Sequence, residues 1–457
     1  MPRNDRDNID RRTLLKITGG VGLAGLAGCV NTTDGDGGDG GTDSDDGSDG
    51  SDGSDGSDGG DGSDGGDGEM DTDTPTATES GNGGDEGPYE IGMVDSQTGS
   101  LSAFGQRNQR GVELALETVN DVGIEGRDLD IIVEDSESEN QGGVSAAQKL
   151  VNQDGVPFLI GAVGSGVSLA IYESVIQDTD VVQLSQNSTG LGLTDFPGLL
   201  RMSPTGRTQS VALADIIADD GYDSVGVTYV NNNYGQSLAD AFVEAWEGEV
   251  AYNQAHDQEQ QSYSGVLSEM NSSGADAWLF VTYQAEFSTM VNEIFSSGYE
   301  AQLYGADSVS GDDVLESTPE GSIDGMKIVV PSAPVEEENY QEFASRFEEE
   351  FGESPTSWSA YAYDCVITAA LSIQAADEFT GAALQETVRD VTRPEGETVD
   401  NYEAAHDILA EGGGVDDVDY QGVSGPIDLD ENGDPVGFLQ IQTVEDHEYV
   451  GTGFIES

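Results

Sequence analysis

The sequence predicts an α/β protein of two doubly wound lobes, and three observations carry that prediction. From residue 89 onward, apolar runs of strand length alternate with longer segments of helical periodicity. The alternation passes through five candidate strands and then five more, so the architecture repeats although the halves are not visibly alike in sequence. Two runs, Val156–Val163 and Val181–Leu184, end in small and hydroxyl-bearing residues, Gly164-Ser165-Gly166 and Ser185-Gln186-Asn187-Ser188-Thr189-Gly190. In open α/β sheets ligands bind in the crevice outside the carboxyl ends of the strands. A helix start beside such a loop supplies free N–H groups for a carboxylate. The same residues also serve as plain turns and helix caps.

In the first half the strands fall at Tyr89–Val94, Leu129–Glu134, Val156–Val163, Val181–Leu184 and Leu199–Met202. Val156–Val163 is apolar throughout, as a strand covered on both faces is. Helices fit at Gln106–Asn120, Gly143–Gln153 and Val167–Asp178. In the second half strands fit Ser224–Tyr229, Glu249–Asn253, Ala277–Val281, Gln302–Tyr304 and Met326–Val330, with helices at Tyr234–Trp246 and Ala285–Ser297. After Pro331 come helices at Glu338–Phe351, Ser357–Phe379 and Ala382–Val391, then a β-like tail with Gly425–Leu429 and Phe438–Gln442.

The residues before this part are of another kind. Arg11-Arg12-Thr13-Leu14-Leu15-Lys16 followed by the short apolar stretch Ile17–Gly28 reads as an export signal. It resembles a twin-arginine signal, with Asp10 and Leu14 departing from the usual pattern. Leu26-Ala27-Gly28-Cys29 resembles a lipobox, which implies lipid on Cys29 and a protein held at the extracellular face of the cell membrane. Residues 30–88 are almost wholly Asp, Gly, Ser and Thr, with 19 acids and no Lys or Arg, and read as a disordered acidic tether.

The chain carries 90 acids against 15 Lys and Arg, a formal net charge of −75. Phosphate binding needs the opposite sign, so nucleic acid is excluded as a partner. Residues 89–457 alone hold 68 acids and 10 cations. Such charge repels itself in dilute buffer and is screened in concentrated salt, which gives the chain a halophilic character. Cys29 and Cys365 stand in unrelated contexts and make no disulfide framework; Cys365 reads as a small buried hydrophobe. His256, His406 and His447 sit in no metal-ligand spacing and near no Gly-x-Ser-x-Gly elbow, and there is no Walker loop. The chain therefore reads as no enzyme, with no cofactor and no metal, and ATP hydrolysis would belong to a partner.

Several stretches together resemble branched-chain-amino-acid-type solute-binding proteins. They are Ile91-Gly92-Met93-Val94, Thr98-Gly99, Phe104-Gly105, Gly111-Val112-Glu113-Leu114-Ala115, Tyr234-Gly235, Ser357–Asp364, and Gly425-Pro426-Ile427 followed by Asp430-Glu431-Asn432-Gly433. The resemblance implies the type I periplasmic-binding-protein fold: two Rossmann-like lobes joined by three hinge crossovers, closing on an amino acid and delivering it to the permease and ATPase subunits of an ABC importer. It divides the chain into the signal 1–29, the tether 30–88, an N-terminal lobe in two parts, 89–205 and 332–424, a C-terminal lobe at 206–331, and a final crossover and tail at 425–457.

The resemblance also implies a site. Ser165 receives the ligand carboxylate by hydroxyl and N–H. Thr189 holds carboxylate and ammonium, with the Asn187 carbonyl helping the ammonium. Glu286 pairs with the ammonium from the other lobe. Phe104 and Tyr234 are walls, and Asp307 meets the ammonium or a polar side chain. The chemistry stands by itself, because a zwitterion needs N–H and OH donors at one end and a fixed anion at the other. Each residue also has a structural reading: Glu286 as a first-turn helix acid, Asp307 as a turn residue, Phe104 and Tyr234 as core aromatics. The family's small disulfide is missing, since Gly164 takes one cysteine's place. A ligand-sensing receptor would use the same cleft, and amides, urea or other small organic solutes are alternative ligands.

The charge generates a first prediction. The melting temperature should rise steeply from dilute buffer to multimolar salt. A melting curve that does not move with salt contradicts the reading.

Overall fold

The computed structural model describes residues 87–393 and 395–456. The export signal, Cys29 and nearly all of the acidic tether lie outside the described residues.

The first sheet contains β1 (Tyr89–Asp95), β2 (Leu129–Asp135), β3 (Phe158–Gly161), β4 (Val182–Ser185) and β5 (Leu199–Arg201), all parallel, in the order β2-β1-β3-β4-β5. The helices between them are α1 (Ser102–Val122), α2 (Asn140–Lys149) and α3 (Ser165–Ile171). After α4 (Gly206–Asp219) the pattern recurs with β6 (Ser224–Val230), α5 (Asn233–Ala245), β7 (Glu249–His256), α6 (Ser264–Ser273), β8 (Ala277–Val281), α7 (Gln284–Ser297), β9 (Gln302–Gly305), α8 (Asp312–Ser317) and β10 (Lys327–Ser332). These strands lie in the order β7-β6-β8-β9-β10, the same winding as the first sheet. Each sheet therefore reverses its strand order once, between β1 and β3 and between β6 and β8, which is where such sheets open a crevice.

The chain then returns to the first sheet's side with α9 (Glu338–Phe351), α10 (Ser357–Ala375) and α11 (Gly381–Thr387), followed by β11 (Glu397–Val399), α12 (Tyr402–Ala410), β12 (Val418–Gly422) and β13 (Gly425–Pro426). It crosses back a last time to add β14 (Phe438–Glu445) and β15 (Glu448–Glu456) antiparallel on the edge of β10. The second sheet thus has seven strands, in the order β15-β14-β10-β9-β8-β6-β7, against the five read from the second half of the sequence.

Other departures have local causes. The strand expected over Val156–Val163 shortens to β3 because Ala162 leaves the ladder. Its N–H donates to Ser168 Oγ (2.9 Å), and its carbonyl accepts from Ser185 Oγ (2.9 Å). Side-chain hydroxyls replace strand partners there, which frees the chain to turn into α3. The helices expected over Gly143–Gln153 and Val167–Asp178 each end in a widened π-type turn, Leu150–Asp154 and Tyr172–Ile176. The tail strand expected at Gly425–Leu429 is only the two residues of β13.

Helix α10 is buried along nearly its whole length, Trp358 to Ile373, as a helix apolar all round must be. It approaches α1 so closely that a Cβ on Gly111 would lie 2.2 Å from the Ser359 carbonyl oxygen. Within α10, Cys365 is buried and unpaired. Asp364 accepts from Tyr420 Oη (2.8 Å), from the N–H groups of Val423 (3.2 Å) and Ser424 (2.7 Å), and from Ser424 Oγ. Burial still pushes its carboxyl up to about 6, against the pull of those donors. These bonds anchor β12 and its turn into β13 just before the last crossover. Among the described residues no helix is long and apolar enough to cross a membrane.

Candidate functional site

The crevices of the two sheets face one another around a small space. From the first sheet it is lined by Leu101 and Phe104 after β1, Val163, Gly164 and Ser165 after β3, and Asn187 and Thr189 after β4. From the second it is lined by Tyr234 after β6, Tyr283 after β8, and Asp307 and Ser308 after β9, with Trp358 of α10 completing the wall. Six strand ends, three from each sheet, converge as the doubly wound topology requires.

On the first-sheet side the two hydroxyl-rich loops are tied together. Ser165 opens α3, and its Oγ accepts the Gly190 N–H at 2.9 Å. A Cβ on Gly190 would come within 2.7 Å of Ser165 Cβ, so only glycine permits this approach. Thr189 is buried, and its carbonyl accepts the Gly206 N–H at the start of α4 (2.7 Å). Asn187 Oδ1 accepts from Asn108 Nδ2 of α1 (2.7 Å).

The second-sheet side supplies an anion. Asp307 Oδ1 accepts from Tyr234 Oη (2.7 Å) and from Gln209 Nε2 of α4 (3.0 Å). Burial raises the Asp307 pKa, while Tyr234, Gln209 and nearby backbone N–H groups hold it down. Burial beside Asp307 drives the Tyr234 hydroxyl far above its ordinary pKa, so it stays a donor. Tyr283 stacks on Tyr234 with ring centres 5.6 Å apart, and Phe104 meets Trp358 edge-on at 5.9 Å. No Lys, Arg or His lines the space. The arrangement therefore presents the Ser165 and Thr189 hydroxyls and the unpartnered Asn187 Nδ2 at one end and a carboxylate without a cationic partner at the other, between aromatic walls.

Six of the seven residues expected from the sequence line this space, and Glu286 does not. It is buried in the first turn of α7, where Oε1 accepts the Glu259 N–H (3.2 Å) and Oε2 has no partner. Glu286 and Asp307 both raise the pKa of Tyr283, which burial already lifts. Sequence reasoning missed Tyr283, although it stands two residues past β8, much as Ser165 follows β3. Trp358 lay unremarked in the quoted stretch Ser357–Asp364.

The space between the sheets measures about 20 Å³, room for roughly one water. A larger chamber of about 630 Å³ abuts it and shares Asp307 and Trp358 as walls. His256 lies elsewhere, between Thr228 Oγ1 (3.0 Å) and Thr282 Oγ1 (2.8 Å), with burial lowering its pKa to about 4. It is a neutral core histidine. Among the described residues no group of three or more His, Cys, Asp or Glu is arranged to hold a metal ion.

The loop carrying Thr189 is held from below by Arg201. This fully buried side chain donates from Nε to Asp434 Oδ1 (2.6 Å), from Nη1 to the carbonyls of Ser188 (3.2 Å) and Gly190 (2.8 Å), and from Nη2 to Thr194 Oγ1 (2.7 Å). Thr194 Oγ1 in turn donates to Asp434 Oδ2 (2.8 Å).

Comparison with known proteins places this geometry among binding proteins. Residues 88–415 match a family model described as periplasmic binding protein. A Leu/Ile/Val-binding protein homolog of Brucella melitensis is 29% identical over 228 residues, which cover 48% of this chain and 61% of that protein. A Leu/Ile/Val-binding protein of Rhizobium johnstonii is matched over the same 61% of its length. Among solved structures, a leucine binding protein from Thermotoga maritima superposes with a TM-score of 0.70 at 20% identity, over 80% of this chain and 98% of that one. A branched-chain amino acid substrate-binding protein from Streptococcus pneumoniae, in complex with isoleucine, gives 0.69 at 20% identity, over 81% and 100%. At these identities the two structures speak for the fold.

The Arg201 cluster generates the second prediction. Arg201→Met takes the cation from the partly exposed Asp434 carboxylate and strands two buried carbonyls, and should lower stability by about 3–5 kcal/mol. Denaturant unfolding in molar salt checks this, and a loss below about 1 kcal/mol contradicts it.

Proposed function

This chain belongs to the periplasmic binding protein family, and from that membership we propose that it captures an amino acid between its two sheets and delivers it to an ABC importer. In this reading it is held at the outer face of the cell membrane by lipid on Cys29, with the acidic tether between anchor and fold. The observation that carries the ligand class is the division of the pocket. Two hydroxyls, Ser165 and Thr189, and the unpartnered Asn187 Nδ2 come from the first sheet, a buried carboxylate comes from the second, and no cation lies among the lining residues. A zwitterion matches both ends. A ligand with a carboxylate alone would leave Asp307 buried and unpaired.

Asp307 is thus the anion we assign to the ligand ammonium, and Ser165 and Thr189 are the carboxylate donors. Glu286, outside the lining, acts at most through Tyr283. Phe104, Trp358, Tyr234 and Tyr283 supply the apolar walls. Admission of a ligand needs the lobes to part, because the space between them is far smaller than an amino acid.

Calorimetry in molar salt with leucine, isoleucine and valine tests the reading. Asp307→Asn should lose roughly two to three and a half decades of affinity, the equivalent of about 3–5 kcal/mol for breaking a buried pair. Glu286→Ala should lose less than about tenfold. Full affinity in Asp307→Asn sinks the assignment. For the anchor, Cys29→Ser should move the protein from the membrane fraction into the medium. Retention in the membrane fraction argues against lipid on Cys29.

A further inference from the structure

Asp307 is the only carboxylate in the pocket lining, and one of the two side chains that hold it, Gln209, stands outside that lining. Gln209 is buried in the first turn of α4. Its Nε2 donates to Asp307 Oδ1 (3.0 Å) and to the Val329 carbonyl on β10 (2.7 Å). An ionised carboxylate and a carbonyl only accept, so the amide can face them in one orientation; turned over, it would set its oxygen against both. Tyr234 Oη donates to the same Asp307 oxygen (2.7 Å). With two donors on Oδ1, Oδ2 is the oxygen left for a ligand.

Helix α4 is fastened on both sides of the pocket. The Gly206 N–H donates to the Thr189 carbonyl (2.7 Å), so the helix starts on a binding loop of the first sheet. Beside Gln209, Ser210 Oγ donates to the Leu238 carbonyl of α5 (3.0 Å), the helix that carries Tyr234. The first turn of α4 thus touches Thr189, Asp307 and the helix of the second donor to Asp307.

The other end of α4 meets a carboxylate that is treated differently. Asp220, its C-cap, accepts from Lys327 Nζ on Oδ1 (2.5 Å) and Oδ2 (2.7 Å), and from Tyr304 Oη (2.7 Å). Lys327 stands on β10 two residues before Val329, so the cation of that strand goes to Asp220, and Asp307 receives a neutral amide. The titratable groups on which Asp307 acts are Tyr234, Tyr283 and Tyr361 of α10, all kept protonated by burial; Glu286 of α7 acts on the same Tyr283. Across the larger chamber stand Arg107, Arg110 paired with Glu353, and the α8 residues Asp312 and Asp313. Burial raises the Asp307 pKa, and Tyr234, Gln209 and backbone N–H groups lower it. A neutral donor stabilises the charged carboxylate without cancelling its charge, whereas a cation at the same place would cancel it.

We propose that Gln209 is the positioning residue that sets the ligand class: its neutral amide fixes Asp307 and leaves the carboxylate's charge for an ammonium group of the ligand. The ligand half of this rests on the amino-acid reading above; the hold on Asp307 does not.

The hold is read in the ligand-free, full-length protein in molar salt, from the NMR signal of the Asp307 carboxyl carbon, identified as the one lost in Asp307→Asn. In Gln209→Met, which keeps the side chain's length and removes the donor, Asp307 should titrate at higher pH than in the parent. An unmoved midpoint overturns the proposal. The leucine affinity of Gln209→Met should likewise begin to fall, as pH is lowered, at a higher pH than the parent's. Weakening by one factor at every pH is what a packing role alone would give, and overturns it. The ligand half is read by calorimetry with leucine and with isocaproate, which has no ammonium. Leucine should lead by about a hundredfold or more in the parent. In Gln209→Lys an ammonium already stands against Asp307, and the lead should shrink to less than about tenfold. A folded Gln209→Lys that keeps the parent's preference overturns the proposal; should that variant not fold, the two Gln209→Met measurements decide. A parent that binds no leucine at any pH would sink the amino-acid reading, and the Asp307 midpoints would still decide whether Gln209 holds the carboxylate.

Discussion

Arg201 is fully buried, and its guanidinium has no water to turn to, so its donors must find acceptors inside the protein. It finds them in three places at once: Asp434 just before β14, the carbonyls on either side of Thr189, and the Thr194 hydroxyl. Asp434 is presented by a tight turn in which Asp430 Oδ1 accepts the N–H groups of Asn432 (2.8 Å) and Asp434 (3.0 Å). One cation thereby fixes a binding loop of the first sheet to the segment that crosses to the second. Moving either end leaves a charge buried without its partner, which is among the more expensive faults a fold can carry. The loops at the other strand ends are held by neutral bonds, such as Ser165 to Gly190, that depend on this loop being in place.

The pocket carries the opposite electrostatic situation. Asp307 is as deeply buried as Arg201, yet neutral donors, Tyr234 and Gln209, are its side-chain partners. Two neutral hydrogen bonds stabilise a carboxylate less than an ion pair does, and burial accordingly raises its pKa. A ligand ammonium completes what the protein leaves incomplete. The excess of acids over cations in the rest of the chain concerns its surface and its response to salt; the binding argument rests on this one carboxylate and on the lack of a cation near it.

The alternation of strands and helices, and the two hydroxyl-rich loops, were legible because each is a local signal. Val156–Val163 and Ala277–Val281 are apolar runs of strand length, and the residues that follow a buried strand face the crevice by topology. That rule pointed to the loops that carry Ser165 and Thr189; Asp307 came from the family resemblance, its local reading being that of a turn residue. Applied to β8, the rule points to Tyr283, two residues past the strand, which lines the space, whereas Glu286 three residues further on lies in the first turn of α7 outside the lining. What was not legible depends on long-range pairing. Nothing near Arg201 shows that Asp434, 233 residues on, will meet it. Asn108 and Asn187 are 79 residues apart and look like ordinary polar residues until α1 packs over the sheet. The edge pair was legible only in part: Phe438–Gln442 reads as β-like, but β15 and the antiparallel pairing of β14 on β10 depend on contacts far along the chain.

The central claim is that both ends of one zwitterion are held across the two sheets. Titration calorimetry in molar salt with leucine, with isocaproate, which lacks the ammonium, and with isopentylamine, which lacks the carboxylate, tests it directly. Leucine should bind, and each one-ended analogue should be weaker by about a hundredfold or more, the loss expected when one buried partner is missing. Isocaproate binding as tightly as leucine would contradict the account, because Asp307 would then have no part in holding the ligand.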